Sequence, residues 1–275
     1  MRIDAHQHFW HFDPVRDAWI TGDMSVIRRD FLPGDLLPHL QEHGFDGCVT
    51  VQADQSETET RFLLENAKNH DFIKGVVGWV DLRAHDLEAR LEQWADDKKL
   101  KGFRHILQAE KPEYMLSTEF VSGLRTIGKL GYTYDILVFP GHLNAVVQLL
   151  EQTEDQYFVI DHIAKPYIRT GEIEAWKRDI HLVAGFPNVY CKVSGLVTEA
   201  SVTNWKPGDI EPYLAVVLEA FGTKRLMYGS DWPVCLLAAS YERQLDIVES
   251  FFSRLSPGER ERIMGLNAID FYQLF

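Results

Sequence analysis

The chain has 275 residues, 45% hydrophobic and 25% charged, enough apolar mass for a full core in an ordinary globular protein. Its formal net charge of −13, with no basic run, excludes nucleic acid and anionic membranes as expected partners. No apolar stretch approaches the roughly 18 residues needed to span a bilayer.

Three cysteines, Cys48, Cys191 and Cys235, lack metal-type spacing and read as reduced thiols. The amino terminus shows no signal-peptide pattern, so the expected setting is the cytoplasm.

In chain order, residues 2–4 form a short apolar strand running into His6, Gln7 and His8. Residues two apart on an extended chain point the same way, so both imidazoles can converge on one point. A divalent-metal or proton-transfer site needs that convergence; alone, the pair reads equally well as two loop histidines. Residues 9–33 hold Phe9, Trp10, His11, Phe12, Pro14, Trp19 and Pro33 ahead of a helix near Leu36. A long aromatic loop of this kind is expected to wall a pocket.

Further strands are expected at 47–52, 73–80, 100–104, 132–138, 157–161, 189–194 and 226–229. Helical periodicity predicts a helix over 57–69, capped by Ser56 with Glu59 three residues on. Others follow over 85–97, 117–130 (stopped by Gly131), 141–152, 172–184, 209–221, 240–255 and 257–270. Eight such strand–helix units pack most economically as a closed parallel (β/α)8 barrel, a TIM-like α/β fold. No linker or composition break appears, so residues 1–275 are expected to form a single domain. A doubly wound sheet is the structural alternative.

Barrel chemistry sits at the carboxyl ends of the strands. The polar residues there are His6 and His8, Gln52 and Asp54, Asp81, Arg104 and His105, then Asp135 within strand five. Asp161, His162 and Lys165 follow strand six, Lys192 and Ser194 strand seven, Ser230 and Asp231 strand eight. In a closed barrel strand eight adjoins strand one, so Asp231 should lie beside His6 and His8.

These residues resemble the amidohydrolase superfamily, whose hallmarks are His-x-His after strand one, His after strand six and Asp after strand eight. The resemblance is closer to its sugar-lactone hydrolases, through Asp-Ala-His-Gln-His-Phe-Trp (4–10), Gly-Trp-Val-Asp-Leu (78–82) and Lys-Gly-Phe-Arg-His (101–105). It continues through Asp-His-Ile-Ala-Lys-Pro (161–166), Lys-Val-Ser-Gly-Leu (192–196) and Gly-Ser-Asp-Trp-Pro-Val (229–234). It implies an amidohydrolase-type barrel that hydrolyses a sugar-acid lactone of the L-fuconolactone or L-rhamnonolactone type. Binuclear members carry a metal-bridging lysine at strand four and a histidine at strand five; here stand Arg104-His105 and Tyr134-Asp135. The resemblance therefore implies at most one divalent ion, with zinc the candidate, on His6, His8, His162 and Asp231. It leaves open whether an ion is needed.

Lactone hydrolysis requires an activated water, an oxyanion acceptor and a proton for the ring oxygen. Asp231 is the expected general base. His162, Arg104 and His105 are expected to polarise the carbonyl or stabilise the oxyanion. His8, Trp10, Gln52, Asp54 and Lys165 are expected to contact the sugar. Asp81 and Lys192 read equally well as ion-pair partners inside the barrel mouth. A homo-oligomer is compatible with the sequence. Competing readings are a pyrone-dicarboxylate lactonase, a metal-dependent decarboxylase of the same superfamily and a non-catalytic binding barrel.

Overall fold

A computed structural model describes residues 1–275. Eight parallel strands run in sequence order: β1 (Ile3–Gln7), β2 (Gly47–Val51), β3 (Ile73–Gly78), β4 (Leu100–His105), β5 (Thr133–Ile136), β6 (Phe158–Ile160), β7 (Val189–Val193) and β8 (Leu226–Tyr228). Between them lie α1 (Pro33–Glu42), α2 (Glu57–Asn69), α3 (Leu87–Glu92), α4 (Thr118–Lys129), α5 (Leu143–Gln152), α6 (Glu174–Ala184), α7 (Leu196–Glu199) and α8 (Pro207–Phe221). After β8 come α9 (Tyr241–Phe252), α10 (Pro257–Glu261) and α11 (Asn267–Tyr272).

The expected barrel is therefore present, and the doubly wound alternative is not. Its seam between β8 and β1 closes by a parallel bridge between Gln7 and Trp232, with His8 N donating to Trp232 O and Asp231 N to His6 O, both at 2.8 Å. Ser56 caps α2 by accepting from Glu59 N.

Two expectations about elements change. The terminal helix is interrupted between α10 and α11 by a π-helical turn, Arg262–Leu266, in which Gly265 leaves helical backbone angles and packs against the backbone of Met1–Ile3, where a Cβ would meet Met1 O at 2.1 Å. The four-residue α7 interrupts the loop after β7, where the sequence predicts no helix.

Most of the core lies between barrel and helices. A smaller cluster fills the amino end of the barrel: Ile3, Ala5, Val49, Val51, Val77, Val159 and Met227, sealed by Phe271, Tyr272 and Leu274. No helix is long and apolar enough to cross a membrane.

β1 is not a regular strand. Asp4 pairs with Cys48 but Gln7 pairs with Thr50, so one extra residue is accommodated between them, a β-bulge. Ile3 and Ala5 point into the barrel, while Gln7 points outward to Cys48 Sγ. Strict alternation from Ala5 would turn His6 and His8 away from the barrel axis. The bulge resets the phase and turns both imidazoles inward.

Candidate active site

Above the apolar plug, the inward positions become charged. Lys192 Nζ lies 2.5 Å from Asp135 Oδ2 and 3.1 Å from Asp161 Oδ1, and Arg104 Nη1 lies 2.9 Å from Asp161 Oδ2. Tyr272, reaching in from α11, donates to Asp135 at 2.8 Å. All these side chains are buried, and two cations against two carboxylates satisfy the requirement that buried charges be paired. Burial alone would raise the Asp161 carboxyl, but Lys192, His6 and Arg104 hold it well below the usual carboxylate range. Lys192 is thus an ion-pair partner inside the mouth. Asp81 instead accepts from Arg83 N and shapes a turn.

The next layer holds His6, His8, His162 and Asp231, all buried. The Nε2 atoms of His8, His6 and His162 stand 3.4, 3.8 and 3.9 Å from the same oxygen, Asp231 Oδ1. The far nitrogen of each ring has a holder: His8 Nδ1 faces Val51 O at 2.7 Å, His162 Nδ1 faces Ser194 Oγ at 2.9 Å and His6 Nδ1 faces Asp161 Oδ1 at 3.3 Å.

The partner of His8 assigns its proton: a carbonyl only accepts, so His8 donates from Nδ1. His6 has a cationic donor at each nitrogen, Arg104 Nη1 3.3 Å from Nε2 and Lys192 Nζ 3.1 Å from Nδ1, so its neutral ring can accept from either side. Burial lowers the pKa of His6 well below its ordinary value and that of His162 to about 4, so both rings are neutral near pH 7. At Asp231, burial pushes the carboxyl up, but the surrounding imidazoles outweigh it and hold the group as an anion.

Three imidazole nitrogens and one carboxylate oxygen form an N3O donor set of the kind zinc takes tetrahedrally. Their outer nitrogens are braced as those of metal-binding histidines are. His6 Nε2 and His8 Nε2 lie only 3.2 Å apart, a spacing that two facing lone pairs tolerate only with a cation or a proton between them. The residues therefore fit one divalent ion. Any triad of His6, His8 and Asp231 or of His6, Asp161 and His162 has its ligand atoms within 4.8 Å of one another. Asp161 enters both the charged layer and the second triad; its place directly before His162 at the end of β6 was the available signal.

Local backbone strain aims His162. His162, Ile163, Ala164 and Lys165 all have left-handed φ, between 47 and 61°, at about 1–2 kcal/mol for each L-residue. The turn persists because Trp176 Nε1 donates to Ile163 O at 2.8 Å and Gly195 leaves room for the imidazole, which a Cβ there would meet at 2.6 Å.

The remaining expected site residues are dispersed. Gln52 is buried and turned to Arg104, accepting from Nη2 at 3.0 Å and donating to Arg104 O, so it braces Arg104 and does not face the mouth. His105 points outward from β4: Trp79 Nε1 donates to its Nδ1 at 3.2 Å, its Nε2 faces Glu110 at 3.4 Å, and Tyr114 stacks on its ring. Trp10 lies beside His8, ring centroids 6.5 Å apart and planes inclined at 29°, with its indole N–H donated to Arg29 O.

Trp10 and Asp54 line a cavity of about 320 Å³ together with His11, Arg16, Glu59 and Phe62. Glu59 is buried at its wall, accepting from Ala53 N at 2.5 Å, and burial raises its pKa from 4.5 to about 7. The native state therefore binds a proton more readily than the unfolded chain. This contribution to stability is complete below pH 4.5 and is lost as the pH rises through about 7, amounting to roughly 3 kcal/mol. Urea unfolding of wild type and Glu59→Gln between pH 5 and 8 checks this: the variant is expected to lose that part of the slope, and parallel curves would refute it.

Comparison with known proteins agrees with this geometry. The amidohydrolase family model matches residues 3–274. The L-fucono-1,5-lactonase of Burkholderia multivorans is 39% identical over 289 residues, covering 100% of this chain and 96% of the relative. That of Burkholderia ambifaria is 38% identical, over 99% of this chain and 96% of the relative. A solved amidohydrolase from B. multivorans with bound zinc superposes with a TM-score of 0.96 at 40% identity, over 100% of both chains. The chain belongs to the amidohydrolase family.

Proposed function

We propose that this protein hydrolyses a sugar-acid lactone of the L-fuconolactone type to the open-chain aldonate. The observation that carries the reading is the convergence of three braced imidazoles on one oxygen of Asp231, in a chain similar over its full length to two L-fucono-1,5-lactonases.

In this reading Asp231 takes the proton of the attacking water and returns it to the ring oxygen as the ester opens. A carboxylate held so firmly as an anion accepts a proton only when the donor is becoming acidic, that is, as attack on the carbonyl proceeds. His162 is kept neutral by burial, and Ser194 sets its orientation. The Arg104 guanidinium beside His6 supplies positive field where the oxyanion develops. His105, turned to Glu110, takes no proton-transfer step. A zinc ion held by His6, His8, His162 and Asp231 would polarise the carbonyl as a Lewis acid.

Charge accounting disfavours the pyrone-dicarboxylate alternative, because two substrate carboxylates need free cations. Arg104 and Lys192 are engaged by Asp161 and Asp135, and Glu199, 3.7 Å from Lys165, would repel a substrate carboxylate brought to that ammonium. The test is a pH-indicator screen of aldonolactones, run with and without chelator. L-Fucono-1,5-lactone or a near stereoisomer is expected to be hydrolysed, and loss of the rate with chelator would place the ion in the reaction. Inactivity on every lactone would overturn the reading.

A further inference from the structure

The left-handed turn that aims His162 ends on Lys165, whose side chain meets Glu199 at the end of α7. Lys165 Nζ and Glu199 Oε1 are 3.7 Å apart, beyond hydrogen-bonding distance, with side chains only 19% and 21% exposed. Neither charged group has another side-chain hydrogen bond; Lys165 only overlies the ring of Phe139 at 5.6 Å. Both side chains keep about a fifth of their surface in contact with solvent, so their unused hydrogen-bonding capacity is met by water and open to a ligand.

Their position relates them to the reacting centre. α7 packs against the turns Ile168–Thr170 and Val234–Leu237, so Glu199 stands between the loops that carry His162 and Asp231. Burial raises the Glu199 carboxyl, Lys165 lowers it, and the charge of Asp231 is close enough to raise it again. Lys165 in turn is close enough to His162 to act on it.

The chemistry of the pair selects its ligand. A carboxylate accepts from two adjacent hydroxyls, and an ammonium donates to a hydroxyl oxygen, so together they match a vicinal diol. Their opposite charges cancel, which suits a neutral polyol, while a carboxylate on the substrate would meet Glu199 and Asp231 as like charges.

We propose that Lys165 and Glu199 form a diol-reading pair that selects hydroxyl-rich lactones by gripping adjacent ring hydroxyls while the cluster of His6, His8, His162 and Asp231 handles the ester. This rests on the lactonase reading. It adds a determinant, Glu199, that lies outside the His and Asp set at the strand ends.

Steady-state hydrolysis of L-fucono-1,5-lactone by wild type, Glu199→Gln and Lys165→Met tests it, with thermal melts of each. The pair contacts substrate and transition state alike, so its loss raises KM and leaves kcat in place. KM is expected to rise roughly ten- to a hundredfold, the usual effect of losing a charge-assisted hydrogen bond, with kcat within about threefold and an unchanged melting temperature. KM within about twofold of wild type in both variants, or a loss carried by kcat, would overturn the proposal. If one variant fails to fold, the other decides. A wild type inert on every sugar lactone is a different failure, since it removes the lactonase reading itself.

Discussion

Asp231→Asn is expected to lower kcat by roughly 10²–10⁴-fold, the usual range for removing a general base, while the protein stays folded. The substitution conserves shape and removes the one anion on which three imidazole nitrogens converge, at 3.4 to 3.9 Å. It strands no cation: Arg104 keeps Asp161, and burial already holds His6 and His162 neutral. The unfolding midpoint should therefore stay near that of wild type, which separates a chemical effect from a structural one. Stopped-flow or pH-indicator rates on the preferred lactone, with circular dichroism melts alongside, measure both. Retention of more than about a tenth of wild-type kcat would remove Asp231 from the role of base.

Lys192→Met is expected to be the most destabilising single change in the barrel interior. Its ammonium lies between Asp135 and Asp161 at 2.5 and 3.1 Å, all three side chains being fully buried. Removing one partner of a buried ion pair typically costs about 3–5 kcal/mol, because the other charge is left unpaired. At roughly 2–4 °C per kcal/mol for a chain of this size class, the melting temperature should fall by roughly 6–20 °C. Adding Asp135→Asn to Lys192→Met should restore part of the loss, since it removes one stranded carboxylate. Urea denaturation of Lys192→Met, Asp135→Asn and the double variant measures the coupling, and a loss under about 1 kcal/mol for Lys192→Met would show that the charged layer is not held by this pair.

Much of the architecture was legible in the residues. Strand-like runs alternating with amphipathic ones required parallel crossovers, and each expected strand appears with ends shifted by a few residues. Strand ends were the least legible because apolar runs continue into buried loops. The stretch 79–80 reads as strand yet lies past β3, where the Trp79 backbone is held by Thr60 of α2 at 2.8 Å. The interruption of the terminal helix was invisible because its packing partner, the backbone of Met1–Ile3 against Gly265, is separated from it by nearly the whole chain.

The site divides in the same way. His6, His8, His162 and Asp231 could be read as a set because each follows a strand, and barrel closure makes strand ends neighbours whatever their separation in sequence. The convergence of the two strand-one imidazoles follows the two-residue period, with Gln7 turned outward between them, but which side of the strand they share does not. In regular register Ile3 and Ala5 would carry Gln7 into the barrel and leave both histidines outside; one extra residue between Asp4 and Gln7 turns them inward. A bulge is a mismatch between two strands, so it has no signature in either strand alone. The spending of Gln52 on Arg104, the outward turn of His105 and the meeting of Lys165 with Glu199 likewise depend on which partners the closed barrel brings within reach. The order of residues along the chain determined which chemistry is present at the mouth. Only the tertiary structure decided which of those groups face one another, because side-chain direction and charge pairing are properties of neighbouring elements and not of any one segment.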